Sequence, residues 1–362
     1  MGTRRFSGTL KITLLMAIAV LMRLDASAQS EDFIAPSQPT YTLFDVIGAR
    51  STVGISINIW GVTTGSYEDQ AQAVHGFVRS RAGTITTFDA PGAGNLQFTG
   101  TYPTHINVEG TIAGYDFDEN QVGHGFIRHR DGTAITFDAP GAGTSTVQGT
   151  FAFGINAEQV ITGYYTDASY VSHGFVRGRD GSFVTWDAPG AGSASGQGTF
   201  AQDINVWGTI AGSYIDATGA YHGYSLDRRG IFQTFDPPAG STYMISMSIN
   251  DEGVITGWYE DSSRTAHSFK RSRGGNFSTF DVTGAGGTYA QSINYAGAIT
   301  GYYIDSGFHA FLRAPGGSIM TIDPPNCVQP QALSINQLGA ITGYCQDSNS
   351  IPVGFLRTPG VD

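Results

Sequence analysis

Six of the eight histidines in this chain stand at one recurring position, each with an aspartate shortly before it. The pairs are Asp69–His75, Asp118–His124, Asp167–His173, Asp216–His222, Asp261–His267 and Asp305–His309. A carboxylate beside an imidazole is a unit of general acid–base chemistry, because the carboxylate orients the ring and steadies its charged form. Five residues separate the partners in five pairs and three in the sixth, the length of a hairpin connection, so each pair can meet across one. A catalyst needs one such pair. Six of them fit a hydrogen-bonded strut that fixes six hairpins, and that structural role is the one expected.

Other stretches carry reactive residues without the context their chemistry needs. APGAG tails at Gly92, Gly141 and Gly190, with TGAG at Gly284, look like phosphate loops. A phosphate loop opens a helix, and here a strand pattern follows. The segment YDFDENQ alternates Asp116, Asp118 and Asn120 as a calcium loop does, but the glycine such a loop needs is missing. GxSxG, HExxH and CxxC are all absent from the chain, and RDGSFVTW lacks the spacing of a sialidase Asp box. No metal site and no cofactor is expected. Two polar residues, His105 and Asp203, stand outside the repeated pattern.

The elements that must position these residues come from an internal repeat. Ile-Asn recurs at Asn58, Asn107, Asn156, Asn205, Asn250, Asn294 and Asn336, with spacings of 49, 49, 49, 45, 44 and 42. An apolar residue followed by aspartate recurs seven times as well, from Asp45 to Asp323. Each unit reads as four strands. Strand A ends at Ile-Asn, and Asn-x-x-Gly turns the chain into strand B, the ITGYY run. A short connection leads to strand C, HGFVR. Asp-Gly or Gly-Gly then makes a hairpin turn into strand D, FVTWD, and Pro-Gly ends it. The last unit stops after strand C, while residues 41–49, YTLFDVIGA, read as a strand D with nothing before it. Each orphan completes the other. The expected fold is an all-β, seven-bladed β-propeller of four antiparallel strands per blade, spanning 41–362, with the N-terminal strand pairing into the C-terminal blade.

The pattern GxINxxGxIxGxYxD…HGF resembles the extracellular HAF-repeat proteins of bacteria. His309-Ala310-Phe311 spells the family's motif, and His75, His124 and His173 carry its HGF form. The resemblance spans Tyr41 to Arg357 and implies a secreted repeat architecture with no assigned activity. Val353 departs from it where histidine is expected, and Ser268 and Ala310 depart where glycine is.

The chain's start and its charge bound the setting. Arg4, Arg5 and Lys11 precede an apolar run over 12–22 and a small-residue exit at Ala26-Ser27-Ala28, the pattern of a signal peptide over 1–28 cleaved after Ala28. An extension over 29–40 would follow. The whole chain has 19 basic and 30 acidic residues; the leader takes four basic ones and Asp25, leaving 15 against 29, a net −14 with Lys270 as the one lysine. Such a surface disfavours nucleic acid and anionic membranes. A secreted or periplasmic monomer is expected, without membrane insertion. Cys327 and Cys345 read as one disulfide in such a compartment.

Residues shared by every unit build scaffold, so function should sit in what varies. The D–A and B–C connections share one face, and the D–A connections are long and variable. They lead to Tyr102, Phe151, Phe200 and Tyr289, with Gln291, His105 and Asp203 nearby. Aromatics with amides at a channel mouth suit an extracellular glycan, by stacking and hydrogen bonding, or a protein partner. The expected function is a non-catalytic binding module. The alternative is a secreted polysaccharide hydrolase or lyase using Asp203 and His105.

Overall fold

The computed structural model describes residues 38–360, which hold 28 β-strands. The leader expected over 1–28, its cleavage at Ala28 and residues 29–37 of the expected extension lie outside the described residues. Among the described residues no helix is long and apolar enough to cross a membrane.

The strands form four-stranded antiparallel meanders. In the third repeat β10 (Gly149–Ile155), β11 (Ile161–Thr166), β12 (Ser172–Arg177) and β13 (Phe183–Trp186) pair in chain order. The same meander recurs as β2–β5 (51–88), β6–β9 (100–137), β14–β17 (198–235), β18–β21 (243–280) and β22–β25 (287–322). The last sheet has the order β1-β28-β27-β26, where β26 is Val328–Ile335, β27 Ile341–Gln346, β28 Pro352–Thr358 and β1 Thr40–Phe44. Phe44 lies opposite Gly354 in that pairing. The strand expected over 41–49 ends at Phe44. Asp45 turns the chain there, its carboxylate accepting the Thr52 hydroxyl at 2.6 Å, and the Ala49 N–H bonds back to the Val46 carbonyl at 2.9 Å.

The third strand of each repeat anchors the core. Phe77, Phe126, Phe175, Phe269, Phe311 and Phe355 are fully buried, and Tyr224 takes that place in the fourth repeat. Burying one such ring contributes about 1.5–3 kcal/mol. Two residues further on, an arginine lies over an aromatic ring of the preceding repeat: Arg177 over Phe137 at 4.7 Å, Arg271 over Phe235 at 4.5 Å. These cation–π contacts couple one meander to the next. In the fourth repeat Leu226 replaces the arginine and packs with Trp186.

Two devices shape the first strand of each repeat. One is a β-bulge: in β10 the register shifts between Ala152 and Gly154, so Phe153 has no partner on β11. Gly163 sits opposite the bulge, where a Cβ atom would lie 2.0 Å from the Phe151 carbonyl oxygen. The other is the asparagine that ends the strand. The Asn156 side-chain oxygen accepts the N–H groups of Glu158 and Val160, both at 3.0 Å, as an Asn-turn does. Its amide nitrogen donates to the Asn205 carbonyl in the next repeat. Equivalent amide bonds link Asn58 to Asn107, Asn205 to Asn250 and Asn294 to Asn336, and Asn336 donates to the Asn58 carbonyl at 2.9 Å. Cys327 and Cys345 are joined by a disulfide, with Cys345 on β27 opposite Val353.

Candidate binding site at the long-loop face

The bulges aim one residue from each repeat inward. Ile55, Thr104, Phe153, Gln202, Met247, Gln291 and Leu333 are these residues, and all of them line one cavity of about 280 Å³. A bulge inserts one extra residue and so re-aims a side chain that strict alternation would place elsewhere. Tyr102, His105 and Asp203 line the same cavity. Of the residues expected at a mouth, the structure therefore brings together Tyr102, His105, Asp203 and Gln291. The other bulge residues escaped the sequence reading.

Phe151 and Phe200 line a neighbouring pocket of about 470 Å³, with Phe153, Tyr115, Tyr164 and Tyr170. Tyr289 stands apart from both, stacked on Tyr302 at 4.8 Å and edge-on to Trp258. The rings form a continuous seam between repeats: Tyr102 stacks on Tyr115 at 5.2 Å, Tyr115 meets Phe151, and Tyr164 meets Phe200 at 5.0 Å. Burial in this seam pushes the Tyr102 and Tyr115 hydroxyls up to about 12, so both stay protonated donors. Gln148 and Gln197, close to this seam in the chain, brace their own loops by accepting the Ser145 and Ala194 N–H groups.

One residue beyond the bulges, His105, Asp203, Ser248, Ser292 and Ser334 also line a second cavity of about 370 Å³, which reaches to the Asn-x-x-Gly turns at Ile59, Val108 and Gln337. His105 and Asp203 come from the second and fourth repeats, yet His105 Nδ1 lies 3.7 Å from Asp203 Oδ1. The third repeat contributes only Gly154 between them. A Cβ there would sit 3.2 Å from Asp203 Oδ1, so the missing side chain opens the gap that the pair spans. Asp203 Oδ1 accepts the Ile204 N–H at 2.8 Å, and Oδ2 accepts the Ser248 hydroxyl at 3.1 Å and the Ile249 N–H at 3.0 Å. Burial raises this carboxyl above the ordinary range, while His105 and the N–H donors pull against the rise.

The repeated histidines have two carboxylate partners each, not one. His173 Nδ1 lies 2.7 Å from Asp187 at the end of β13, and its Nε2 lies 3.6 Å from Asp167. In the first five repeats the Nδ1 partner, from Asp89 to Asp281, is nearer than the hairpin partner expected from the sequence, at 2.6–2.9 Å against 3.3–3.9 Å. The third strand runs between the second and the fourth, so its imidazole reaches both ways. His309 reverses the order, with Asp305 at 3.0 Å and Asp323 at 3.9 Å, because its connection is shorter. A tyrosine lies against five of the rings, stacked on four of them, as Tyr165 is on His173 at 4.9 Å, and tilted in the pair of Tyr259 with His267.

The second repeat lacks that tyrosine. Asp116 stands there, opposite His124, fully buried and with neither oxygen hydrogen-bonded, while Asp118 caps its own turn through the Asn120 and Val122 N–H groups. Asp116 and Asp118 thus serve different surroundings, which is not how a calcium loop deploys them. Burial pushes the Asp116 carboxyl up to about 7, and the Asp138 hydrogen bond raises His124. Both groups then favour the fold in their protonated forms. Their contribution is complete below the unfolded-state carboxyl range and falls as pH rises through about 7 and beyond the ordinary imidazole range. Asp116→Tyr, which restores the repeat residue, is expected to stabilise the protein by about 2 kcal/mol at pH 8 and by much less at pH 5. Urea denaturation at the two pH values measures this; equal effects at both would contradict it.

No protein-family model matches the chain, and no curated protein matches it. Among solved structures, a streptogramin B lyase is similar at 12% identity, covering 88% of this chain and 97% of that one, with a TM-score of 0.58. The BP39L lectin from Burkholderia pseudomallei is similar at 9% identity over 87% and 100%, with a TM-score of 0.54. The β-propeller domain of Cps50 (Swd1) from Myceliophteria thermophila is similar at 8% identity over 89% and 99%, with a TM-score of 0.51. At such identities the likeness is one of fold: the chain is a β-propeller.

Proposed function

We propose that this β-propeller is a secreted, monomeric, non-catalytic binding module of the HAF-repeat kind, closed as a ring of seven blades, that takes a neutral glycan on its long-loop face. The pairing of β1 with β28 and the bond from Asn336 back to Asn58 support the closure. The leader pattern supports secretion. One of the proteins sharing the fold is a lectin, which is in keeping with the reading.

The observation that carries it is the aromatic pocket beside the mouth. Phe153, Tyr164 and Phe200 present ring faces and edges there, and Tyr170 and Ser195 supply polar groups at its rim. Apolar sugar faces stack on such rings while the rim meets hydroxyls. The hydrolase or lyase reading draws on the convergence of His105 and Asp203. Three donors already occupy the Asp203 carboxylate, however, which suits a clamp across the channel better than a base aimed at substrate.

The test is an array of neutral oligosaccharides probed with the wild type and with Phe200→Ala. Binding by the wild type, weakened about tenfold in the variant, is expected from the loss of one stacking ring. An array with no neutral glycan bound, or a variant that binds as the wild type does, overturns the reading.

A further inference from the structure

The opposite face, where the tight turns lie, carries a groove between adjacent repeats that occurs in two versions. Between the third and fourth repeats it is lined by Val160, Val176 and Val184, with Trp186 and Leu226. Between the fourth and fifth the equivalent positions, each 49 residues on, are Thr209, Ser225 and Gln233. Packing of repeat on repeat is satisfied by the aliphatic version. The polar version gives up apolar contact, and its other lining residues change with it: Trp207, Arg229, Arg271 and Arg273 border a space of about 440 Å³. Three guanidinium groups in one groove are unusual for a chain with 19 basic and 30 acidic residues.

We infer that this groove binds a hexuronate unit of an acidic saccharide. Trp207 is 64% exposed, and its ring nitrogen donates to the Asp251 carbonyl at 3.0 Å, which holds the indole in place and leaves apolar surface for a sugar ring. Arg271 is buried, its terminal nitrogen donating to Gln233 at 3.3 Å and its Nε having no partner. Arg229 is held by Asp227 through two bonds to one carboxylate oxygen. Arg273 is exposed and makes no ion pair among the described residues, so it is the cation free to take a carboxylate. A guanidinium matches a carboxylate as a planar fork. Asp227 and Asp251 line the same groove, and Asp251 spends one oxygen on the Val206 N–H at 3.3 Å. Those carboxylates accept from sugar hydroxyls but repel a polyphosphate, as Thr209, Ser225 and Gln233 also favour hydroxyls. A sugar with one carboxylate therefore fits the groove better than a nucleotide does.

The test uses the wild-type protein with a galacturonate tetramer, its methyl ester and AMP as probes, read by calorimetry. The tetramer is expected to bind, the ester and AMP at least tenfold more weakly, and affinity should fall with added salt. Arg273→Gln and Trp207→Ala, both at exposed positions, should each weaken the tetramer about tenfold or more, with thermal melting unchanged. Phe200→Ala, on the other face, should leave this binding as it is, which separates the inference from the neutral-glycan reading. No tetramer binding, equal binding of the ester, preference for AMP, or loss in Phe200→Ala with none in Arg273→Gln each overturns it.

Discussion

Gly163→Ala is expected to prevent the third repeat from folding, with a loss above about 4 kcal/mol or no soluble protein at all. The methyl group would lie 2.0 Å from the Phe151 carbonyl oxygen and 2.9 Å from the Ala152 Cα, both backbone atoms that no rotamer change can move. Relief requires β10 to slide or the bulge at Phe153 to flatten. Either would return Phe153 to strict alternation and take it out of the mouth. The same clash awaits at Gly65, Gly257 and Gly343, each 1.9–2.0 Å from a first-strand carbonyl oxygen. Soluble yield and urea midpoint are the measurements. A folded Gly163→Ala protein within 1 kcal/mol of the wild type would show that the bulge does not depend on this glycine.

Asn156→Ala is expected to cost about 3 kcal/mol or more. Three bonds go at once: the Glu158 and Val160 N–H groups lose their acceptor, and the Asn205 carbonyl loses its donor. Asn156 is buried, at 4% exposure, so water cannot simply take over those bonds. A buried group left unpaired costs about 1–3 kcal/mol, more than a bond between paired groups contributes. Asn205→Ala should behave alike, since it breaks the next link, to Asn250. Equilibrium denaturation of the two single variants tests this, and a loss below 1 kcal/mol in both would sink it.

Much of the fold was legible because its signals are local. Glycine and asparagine mark the turns, alternation marks the strands, and the recurrence of Ile-Asn shows that one meander is used again and again. The Asn156 turn could be read for that reason: its acceptor bonds stay within four residues. Its donor bond reaches a carbonyl 49 residues away, and nothing in the local pattern points there. Only one of each histidine's two partners was legible, for a related reason. Asp167 lies six residues before His173 and was found, while Asp187 lies fourteen after it and is the closer in space. The candidate mouth was the least legible part. A bulge breaks the two-residue period from which facing is inferred, so Phe153 and Gln202 gave no sign of pointing inward. The gap at Gly154, which lets His105 reach Asp203, is a property of three strands together and cannot be seen in any one of them.

The pairing of Phe44 with Gly354 also bears on how the molecule is made. Among the described strands β1 leaves the ribosome first, yet β28, the strand it pairs with, leaves last. Each internal meander can zip up as soon as its own four strands have emerged. The sheet that β1 and β28 share has to wait until every strand between them has emerged, so it forms after each internal meander has had its chance to.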